Sequence, residues 1–225
     1  MKFFSVDGTF YRFMNKLLDV LKLNFLWLLG ALPIVTIGAS TTALYYTSFK
    51  IAKDEGSFIT TMFFRSFRQN FKQATIIWLI MLATGLLIGA DAVLLYRLRA
   101  TSTGTAAVVW TLLLAVIFAS MILYAIVLAY VFPLLSIVSN TTANMFKNAF
   151  LIGTHYLFLT LLIFFIHWAM FFLVVNVFTP LIIFGEGLCA LISAHLMLKV
   201  LRPLIYDPNA DKQEESDEDD TGAEL

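Results

Sequence analysis

The stretch TAAVVWTLLLAVIFASMILYAIVLAYV, from Thr105 to Val131, contains no Asp, Glu, Lys or Arg. The charge-free region around it extends from Ala100 to Phe146. A helix needs about 20 consecutive apolar residues to cross the hydrocarbon layer of a bilayer, so this stretch is long enough. The sequence therefore predicts a transmembrane helix here.

Two further stretches have the same character. Asp91 is the one charged residue between Ala74 and Tyr96, and the region from Asn148 to Gly185 has none. The whole chain is 60% hydrophobic and 13% charged, with a mean hydropathy of +0.86, which is outside the usual range of soluble domains. We predict an all-α, polytopic transmembrane helical bundle whose later spans are Ala74–Leu98, Thr105–Val131, Tyr156–Val177 and Pro180–Leu198.

The region from Leu17 to Ala52 is apolar but interrupted by Gly30, Pro33 and Gly38. Proline removes a helical hydrogen bond and collides with the preceding turn, whereas glycine permits a tight reversal. The region is therefore either one long kinked helix or two short helices joined at Pro33–Gly38.

Basic residues discriminate between these two topologies, because they concentrate in cytoplasmic loops. A single crossing leaves 6 basic residues inside and 9 outside, whereas a hairpin leaves 13 inside and 2 outside. The count favours a hairpin, either as two short crossings or as a re-entrant pair. We thus expect about six membrane segments, a cell-membrane location, and cytoplasmic N- and C-termini.

The acidic residues are concentrated at the end of the chain. Nine of the fifteen lie between Asp207 and Glu224, so the preceding residues carry a formal charge of +8. A segment that is acidic and lacks aromatic residues cannot bury enough apolar area to fold. We predict a membrane bundle over residues 1–206 and a disordered acidic cytoplasmic tail over residues 207–225. We expect no cleaved signal peptide at the N-terminus.

Two cytoplasmic connections predict amphipathic helices at the membrane interface. In Ser57–Gln73, aromatic and aliphatic residues recur every four positions, and the polar positions include Arg65, Arg68 and Lys72. This pattern is typical of a basic helix at the lipid headgroups. Ser139–Phe150 repeats it more weakly.

Ionisable residues inside spans are costly, and they are therefore candidates for function. Here they are Asp91, Glu186, His167 and His195. In the six-segment topology Asp91 and Glu186 share a depth in the outer leaflet, where a carboxylate pair would suit proton or cation coupling. The alternative is that each carboxylate reaches water or pairs with Arg97 or Arg99. Two histidines alone make a poor metal site, so we expect none. Cys189 is expected to be a buried apolar residue.

The motifs of common catalytic domains are absent from the sequence. It contains no GxxxxGK[ST], HExxH, GxSxG or CxxC pattern, and no loop is long enough for a soluble catalytic domain. We therefore expect neither an enzyme nor a cofactor, and nothing indicates a nucleic-acid partner.

The segments NFLW, from Asn24 to Trp27, and PIVTIGASTTALYY, from Pro33 to Tyr46, resemble the signature of the YesL family, small integral membrane proteins of Gram-positive bacteria. The matching motif positions, whose expected role is to shape the hairpin, are Asn24, Pro33, Thr36, Gly38, Thr42 and Ala43. The resemblance implies a domain of unknown function, often encoded beside carbohydrate ABC transporters, with no established catalytic residue.

Two functions follow as hypotheses. The first is a noncatalytic membrane accessory protein that binds a transporter or sensor subunit, in particular in carbohydrate ABC transport, and a homo-oligomer is compatible with it. The second is a small secondary carrier that uses Asp91 and Glu186 for proton or cation coupling.

Overall fold

The computed structural model describes the backbone of residues 9–55 and 58–205, and the side chains of residues 14–55 and 58–201. The acidic segment predicted to be disordered lies outside these residues. The described backbone is all-α, as predicted, and its seven α-helices are α1 (Thr9–Ala31), α2 (Ile37–Ala52), α3 (Ile59–Thr101), α4 (Gly104–Ile137), α5 (Thr142–His155), α6 (Leu157–Asn176) and α7 (Gly185–Ile205).

Three of these helices, α3, α4 and α6, are long and apolar enough to cross a membrane. The sequence predicts about six membrane segments, and the other three belong to shorter or more polar helices. Helix α2 has 16 residues, α1 contains the charged residues Arg12, Lys16, Asp19 and Lys22, and α7 contains Glu186, Lys199 and Arg202. The described residues therefore give a multi-pass protein with three candidate spans.

Helix α3 is one continuous helix of 43 residues. It joins the basic segment that we predicted as a separate interfacial helix to the predicted span Ala74–Leu98. At about 1.5 Å per residue it is roughly 65 Å long, about twice the thickness of the hydrocarbon layer. Only one half of α3 can therefore lie in that layer.

The first half of α3 belongs to a compact assembly that we call the base bundle. It consists of α1, α2, α5, α7, residues 59–81 of α3 and residues 126–137 of α4, which pack on one another. Its largest fully buried side chains include Leu23, Leu44, Phe63, Tyr130 and Met197. Burial of such side chains stabilises the fold by about 1.5–3 kcal/mol each relative to exposure in water.

Beyond the base bundle, residues 82–125 of α3 and α4 form a two-helix hairpin, here called the projecting hairpin. No residue between Met81 and Ile126 is buried. The partly buried positions recur every three or four residues and include Gly85, Ile88, Ala92 and Leu95 of α3, and Ala107, Trp110, Leu114, Ile117, Met121 and Tyr124 of α4. This spacing marks one contact stripe per helix, as in an antiparallel pair.

Two polar contacts connect the helices of the projecting hairpin. At its root the Tyr124 hydroxyl donates a hydrogen bond to the Met81 carbonyl over 3.0 Å, and near its far end Arg99 Nε donates to Thr111 Oγ1 over 2.8 Å. The outward faces carry exposed apolar side chains such as Leu86, Leu94 and Val116. They are suited to contact with lipid tails or with another membrane protein.

Helices α1 and α2 form a second hairpin, which confirms that two short helices are joined at Pro33–Gly38. Thr36 Oγ1 donates hydrogen bonds to the carbonyls of Gly30 and Pro33 at 2.7 and 2.8 Å, and Ser40 Oγ donates to the Trp27 carbonyl at 2.8 Å. The Gly30 carbonyl is one of the four that the end of α1 leaves without a helical partner, and Thr36 satisfies it.

The turn of this hairpin lies beside Trp78 of α3, whose Nε1 donates a hydrogen bond to the Ile34 carbonyl over 2.7 Å. Helix α3 continues from Trp78 to Thr101, roughly 35 Å at about 1.5 Å per residue. The α1–α2 hairpin therefore ends about one hydrocarbon thickness short of the far end of α3.

The connection between α2 and α3 is fixed by two ion pairs. Lys16 Nζ lies 2.7 Å from Asp54 Oδ1, which joins α1 to this connection. Lys50 donates a hydrogen bond to Glu55, and this bond lowers the pKa of the Glu55 carboxyl below its ordinary value.

Candidate functional site

Asn24 of α1 fixes the start of α7. Its Nδ2 donates hydrogen bonds to the carbonyls of Ile182 and Ile183 at 3.1 and 2.7 Å, and its Oδ1 accepts one from the Gly187 amide at 2.9 Å. Asn24 is 1% exposed. It thereby satisfies backbone groups that a buried helix start would otherwise leave without partners, and it holds Glu186 in place.

Glu186 lies opposite His167 of α6. Glu186 Oε1 is 3.7 Å from His167 Nε2, and each side chain is 30% exposed. The other imidazole nitrogen, Nδ1, is 2.9 Å from the Ile163 carbonyl, which can only accept a hydrogen bond. His167 Nδ1 therefore carries a hydrogen, and Nε2 faces the carboxylate.

An attractive contact between the two groups needs one further proton. Without it, the lone pair of Nε2 would face a carboxylate oxygen across a largely apolar interior, which is unfavourable. One added proton gives either an imidazolium with a carboxylate or an imidazole with a carboxylic acid. Glu186 and His167 therefore form a proton-holding pair with zero net charge in either arrangement.

Two cavities share this pair as part of their walls. The first, of about 260 Å³, is also lined by Thr41, Tyr45, Trp78 and Phe132. The second, of about 460 Å³, is lined by Trp27, Leu28, Met170 and Phe171. Trp27, which lines the second cavity, donates a hydrogen bond from Nε1 to Oγ1 of Thr41, which lines the first, over 3.2 Å.

Asp91 does not lie beside Glu186. The cavity at Glu186 is lined by Trp78, and Asp91 lies further along the same helix by roughly 20 Å at about 1.5 Å per residue. The prediction of a shared depth assumed that the two helices cross the bilayer alike. In the structure α7 begins in the base bundle, whereas Asp91 is partly buried in the projecting hairpin.

The remaining ionisable candidates are separate from the pair. His195 is on an exposed face of α7. Cys189 is buried, as predicted, and its sulfur lies 4.0 Å from the Ile166 carbonyl. Within residues 9–55 and 58–205, no three His, Cys, Asp or Glu side chains are grouped as metal ligands.

Arg65, Arg68 and Lys72 are all exposed on the first half of α3. The apolar positions of the same segment differ from the prediction of a helix lying on lipid. Ile59 and Phe63 are buried in the base bundle, whereas Phe71 is exposed. Part of the apolar stripe therefore contacts protein rather than the bilayer.

The motif residues of the α1–α2 hairpin have separate roles. Thr36 closes the turn after Pro33. A Cβ at Gly38 would lie 2.5 Å from the Ala74 carbonyl oxygen, so Gly38 permits the close contact with α3. Thr42 and Ala43 are buried in α2. Asn24 anchors α7, a long-range role that the motif did not predict.

The aromatic walls of the first cavity were not predicted as site residues. Tyr45 lies inside the motif region, and Trp78 lies inside a predicted span, where aromatic residues are common. Their approach to Glu186 depends on how α2, α3 and α7 pack, and no local pattern encodes it. Thr41 and Tyr45, which are one helical turn apart within the motif, were the part of the sequence that pointed to this wall of the cavity.

The α1–α2 hairpin and most of α3 are also the part of the chain that a known family describes. Residues 20–92 match the family model DUF624, described as a protein of unknown function. The DUF624 match includes Asn24, Trp78 and Asp91, whereas His167 and Glu186 lie beyond it. No curated protein and no solved structure matches the chain. The DUF624 match assigns no activity, so the function must be argued from the geometry.

Proposed function

We propose that this chain is a noncatalytic, multi-pass accessory protein of the cell membrane that binds a transporter or sensor subunit through the projecting hairpin. The two chain ends face the cytoplasm in this proposal, in keeping with the count of basic residues. The family resemblance at Asn24–Tyr46 suggests the YesL family, and hence the membrane-spanning subunit of a carbohydrate ABC transporter as the partner.

The observation that supports this proposal most directly is the environment of Asp91 in the projecting hairpin. It lies near the middle of the second half of α3, and it forms no hydrogen bond or ion pair within the described residues. A carboxylate inside a span is costly unless a donor or cation compensates it. A donor or basic side chain on a partner helix would supply this compensation.

The shape of the hairpin also favours an accessory role over that of a carrier. A translocation path needs walls on all sides through the hydrocarbon layer. In the projecting hairpin the burial pattern gives each helix one contact stripe, facing the other helix. Two helices with one shared seam enclose no path, so a single copy lacks the walls of a carrier in this half of the molecule.

The base bundle is placed at the cytoplasmic side in this proposal. The exposed residues Arg65, Arg68 and Lys72 would lie at the lipid headgroups, where basic side chains are favoured. The α1–α2 turn, with Leu32 75% exposed, would then enter the bilayer without crossing it. This is the re-entrant alternative of the two hairpin topologies.

Site-specific photo-crosslinking in the native membrane tests the proposal. A photoreactive amino acid at Leu94 or Val116, both on outward faces of the projecting hairpin, is expected to form an adduct with the transporter subunit. Phe158 of α6, which is 83% exposed, is the matched position outside the hairpin and is expected to form none.

The variant Asp91→Asn provides a second test of the proposal. We expect it to reduce co-purified transporter at least fivefold in mild detergent, because the amide carries no charge for the partner to pair with. Glu55→Gln, at an exposed carboxylate in the connection between α2 and α3, is the control and should leave recovery unchanged. Lipid adducts alone at Leu94 and Val116, or undiminished recovery with Asp91→Asn, would refute the proposal.

The carrier hypothesis retains one observation in its favour, the proton-holding pair between two cavities. In its original form it required Asp91 and Glu186 to act together, and they are far apart along the molecule. Proton-coupled flux in proteoliposomes that is abolished by Glu186→Gln and unaffected by Asp91→Asn would favour a carrier built on Glu186 and His167 instead.

A further inference from the structure

The proton-holding pair forms one wall of a small cavity whose other walls are mainly aromatic and aliphatic. From the chemistry of these walls we propose that the cavity of about 260 Å³ binds a small organic ammonium ion, with its positive charge against Glu186. The site lies between α6 and the base bundle, so it is separate from the outward faces of the projecting hairpin that are proposed to contact the partner.

Charge excludes the main competing ligand classes. No lysine or arginine lines the cavity, and its one basic side chain, His167, already faces the Glu186 carboxylate, so no free positive charge is available for an anion. Divalent cations such as Ca²⁺ take about six to eight oxygen ligands, and this wall offers one carboxylate together with the hydroxyls of Thr41 and Tyr45. A single carboxylate carries one negative charge, which matches the charge of a monovalent cation.

The aromatic residues select among monovalent cations. Tyr45, Trp78, Phe132 and Phe164 line the cavity, and aromatic faces attract weakly hydrated cations such as quaternary ammonium groups. Na⁺ or K⁺ would have to exchange a strong hydration shell for these rings. An ammonium ion with methyl or methylene substituents instead combines cation–π attraction with apolar contact.

The volume limits the ligand to a small one. Pockets for drug-sized molecules are about 300–1,000 Å³, and this cavity is below that range. A choline- or ethanolamine-sized group therefore fits the proposal better than a polyamine or a peptide. Such a group occurs both in small free cations and in the headgroups of zwitterionic lipids. In both sources the cavity would recognise the same ammonium group.

Binding also has a proton balance. Before binding, Glu186 and His167 hold one proton between them and are neutral as a pair. When an ammonium ion pairs with the Glu186 carboxylate, that proton is released to the solvent and His167 becomes neutral. The ammonium ion thus replaces the proton as the positive charge beside Glu186. Binding must therefore weaken as the pH falls.

The test uses the full chain in an uncharged maltoside detergent, titrated with choline by isothermal calorimetry. We expect saturable binding, and at least tenfold weaker binding of 3,3-dimethylbutan-1-ol, the uncharged molecule of the same shape. Glu186→Gln should weaken choline binding at least tenfold. Glu55→Gln, which removes an exposed carboxylate in the connection between α2 and α3, is the control and should bind choline normally.

A second arm distinguishes a lipid headgroup from a free cation. Native mass spectrometry of protein extracted from mixed vesicles should show preferential retention of phosphatidylcholine or phosphatidylethanolamine over phosphatidylglycerol if the ligand is a headgroup, and Glu186→Gln should abolish this preference. If the ligand is a free cation, choline binds and no lipid preference depends on Glu186.

The proton balance gives a third readout. Choline affinity should rise as the pH is raised, and this rise should be absent in His167→Gln. The other titratable side chains near the carboxylate are Tyr45 of α2 and Cys189 of α7, which ordinarily titrate above pH 8. The lining residues from α1, α3 and α4 do not titrate.

Three results would overturn the proposal. One is equal binding of choline and its uncharged isostere, and another is binding that strengthens as the pH falls. The third is a folded Glu186→Gln protein, shown by an unchanged thermal transition, that binds choline normally and retains the same lipids. If Glu186→Gln does not fold, Trp78→Leu replaces it, with the same expected loss of choline affinity.

Discussion

Asn24 connects two parts of the chain that are far apart in sequence, and its replacement has a predictable cost. Asn24→Leu keeps the approximate volume but leaves two carbonyls and the Gly187 amide without their partner. A buried polar group left unsatisfied costs about 1–3 kcal/mol. We expect a fall of several degrees in the thermal unfolding midpoint in detergent.

Asn176 provides the control for this prediction. Its Nδ2 donates a hydrogen bond to the Phe172 carbonyl of its own helix, and the residue is exposed. Asn176→Leu should therefore change the midpoint by much less. Equal effects of the two variants would show that the contacts of Asn24 do not hold α7 in place.

The sequence identified individual residues better than it identified their partners. His167 and Glu186 stand out in the sequence because ionisable groups inside apolar segments are costly, and Asn24 stands out as a motif position. The motif assigned Asn24 to the hairpin, whereas the pairing of Glu186 with Asp91 was based on depth along a presumed span. The observed partners arise from packing between α1, α6 and α7, which has no local signature.

Among the helices, close packing depends on Gly38 but not on Gly89. A Cβ at Gly38 would lie 2.5 Å from the Ala74 carbonyl oxygen and 2.6 Å from Trp78 Cβ, whereas a Cβ at Gly89 meets nothing within 4 Å. Gly38→Ala should therefore force α2 away from α3 and cost about 1–3 kcal/mol. Thermal unfolding in detergent measures this loss.

Gly89→Ala is the matched substitution in a helix of the projecting hairpin. It should be neutral or slightly stabilising, since alanine favours a helix over glycine by up to about 1 kcal/mol. The same loss of stability in both variants would contradict this assignment. The Gly85–Gly89 spacing thus supplies one close contact, where Tyr124 Oη lies 2.7 Å from a Cβ built at Gly85.

The existence of the helices could be predicted from the sequence, but the fact that α3 is one continuous helix could not. Arg65, Arg68 and Lys72 suggested a boundary between an interfacial helix and a span. Lysine, arginine and glutamine are nevertheless good helix formers, and no proline or glycine occurs between Ile59 and Thr84. The polarity of the side chains changes along this segment, but their preference for the helical conformation does not.

For the whole molecule, the two hairpins are expected to reach different depths in the bilayer. In a Cys189→Ala background, Thr103→Cys at the end of the projecting hairpin should react with a membrane-impermeant maleimide added outside intact cells. Val35→Cys at the α1–α2 turn should remain unreactive, because the turn ends beside Trp78. Arg68→Cys should react after permeabilisation only.

Labelling of Val35→Cys from outside at the rate of Thr103→Cys would establish two full crossings instead. The positive-inside count alone did not separate these alternatives, because both return the chain to the same side. The separation requires the position of the turn along α3, and this position results from tertiary packing.

The continuity of α3 has a mechanical consequence. With the α1–α2 turn attached at Trp78, the helix is a stiff rod held near its middle, with arms of roughly 30 and 35 Å at about 1.5 Å per residue. Membranes of different thickness change the tilt of a spanning helix. Since no break decouples the arms of this rod, a tilt imposed on one by the lipid swings the other through a comparable arc, in the opposite direction.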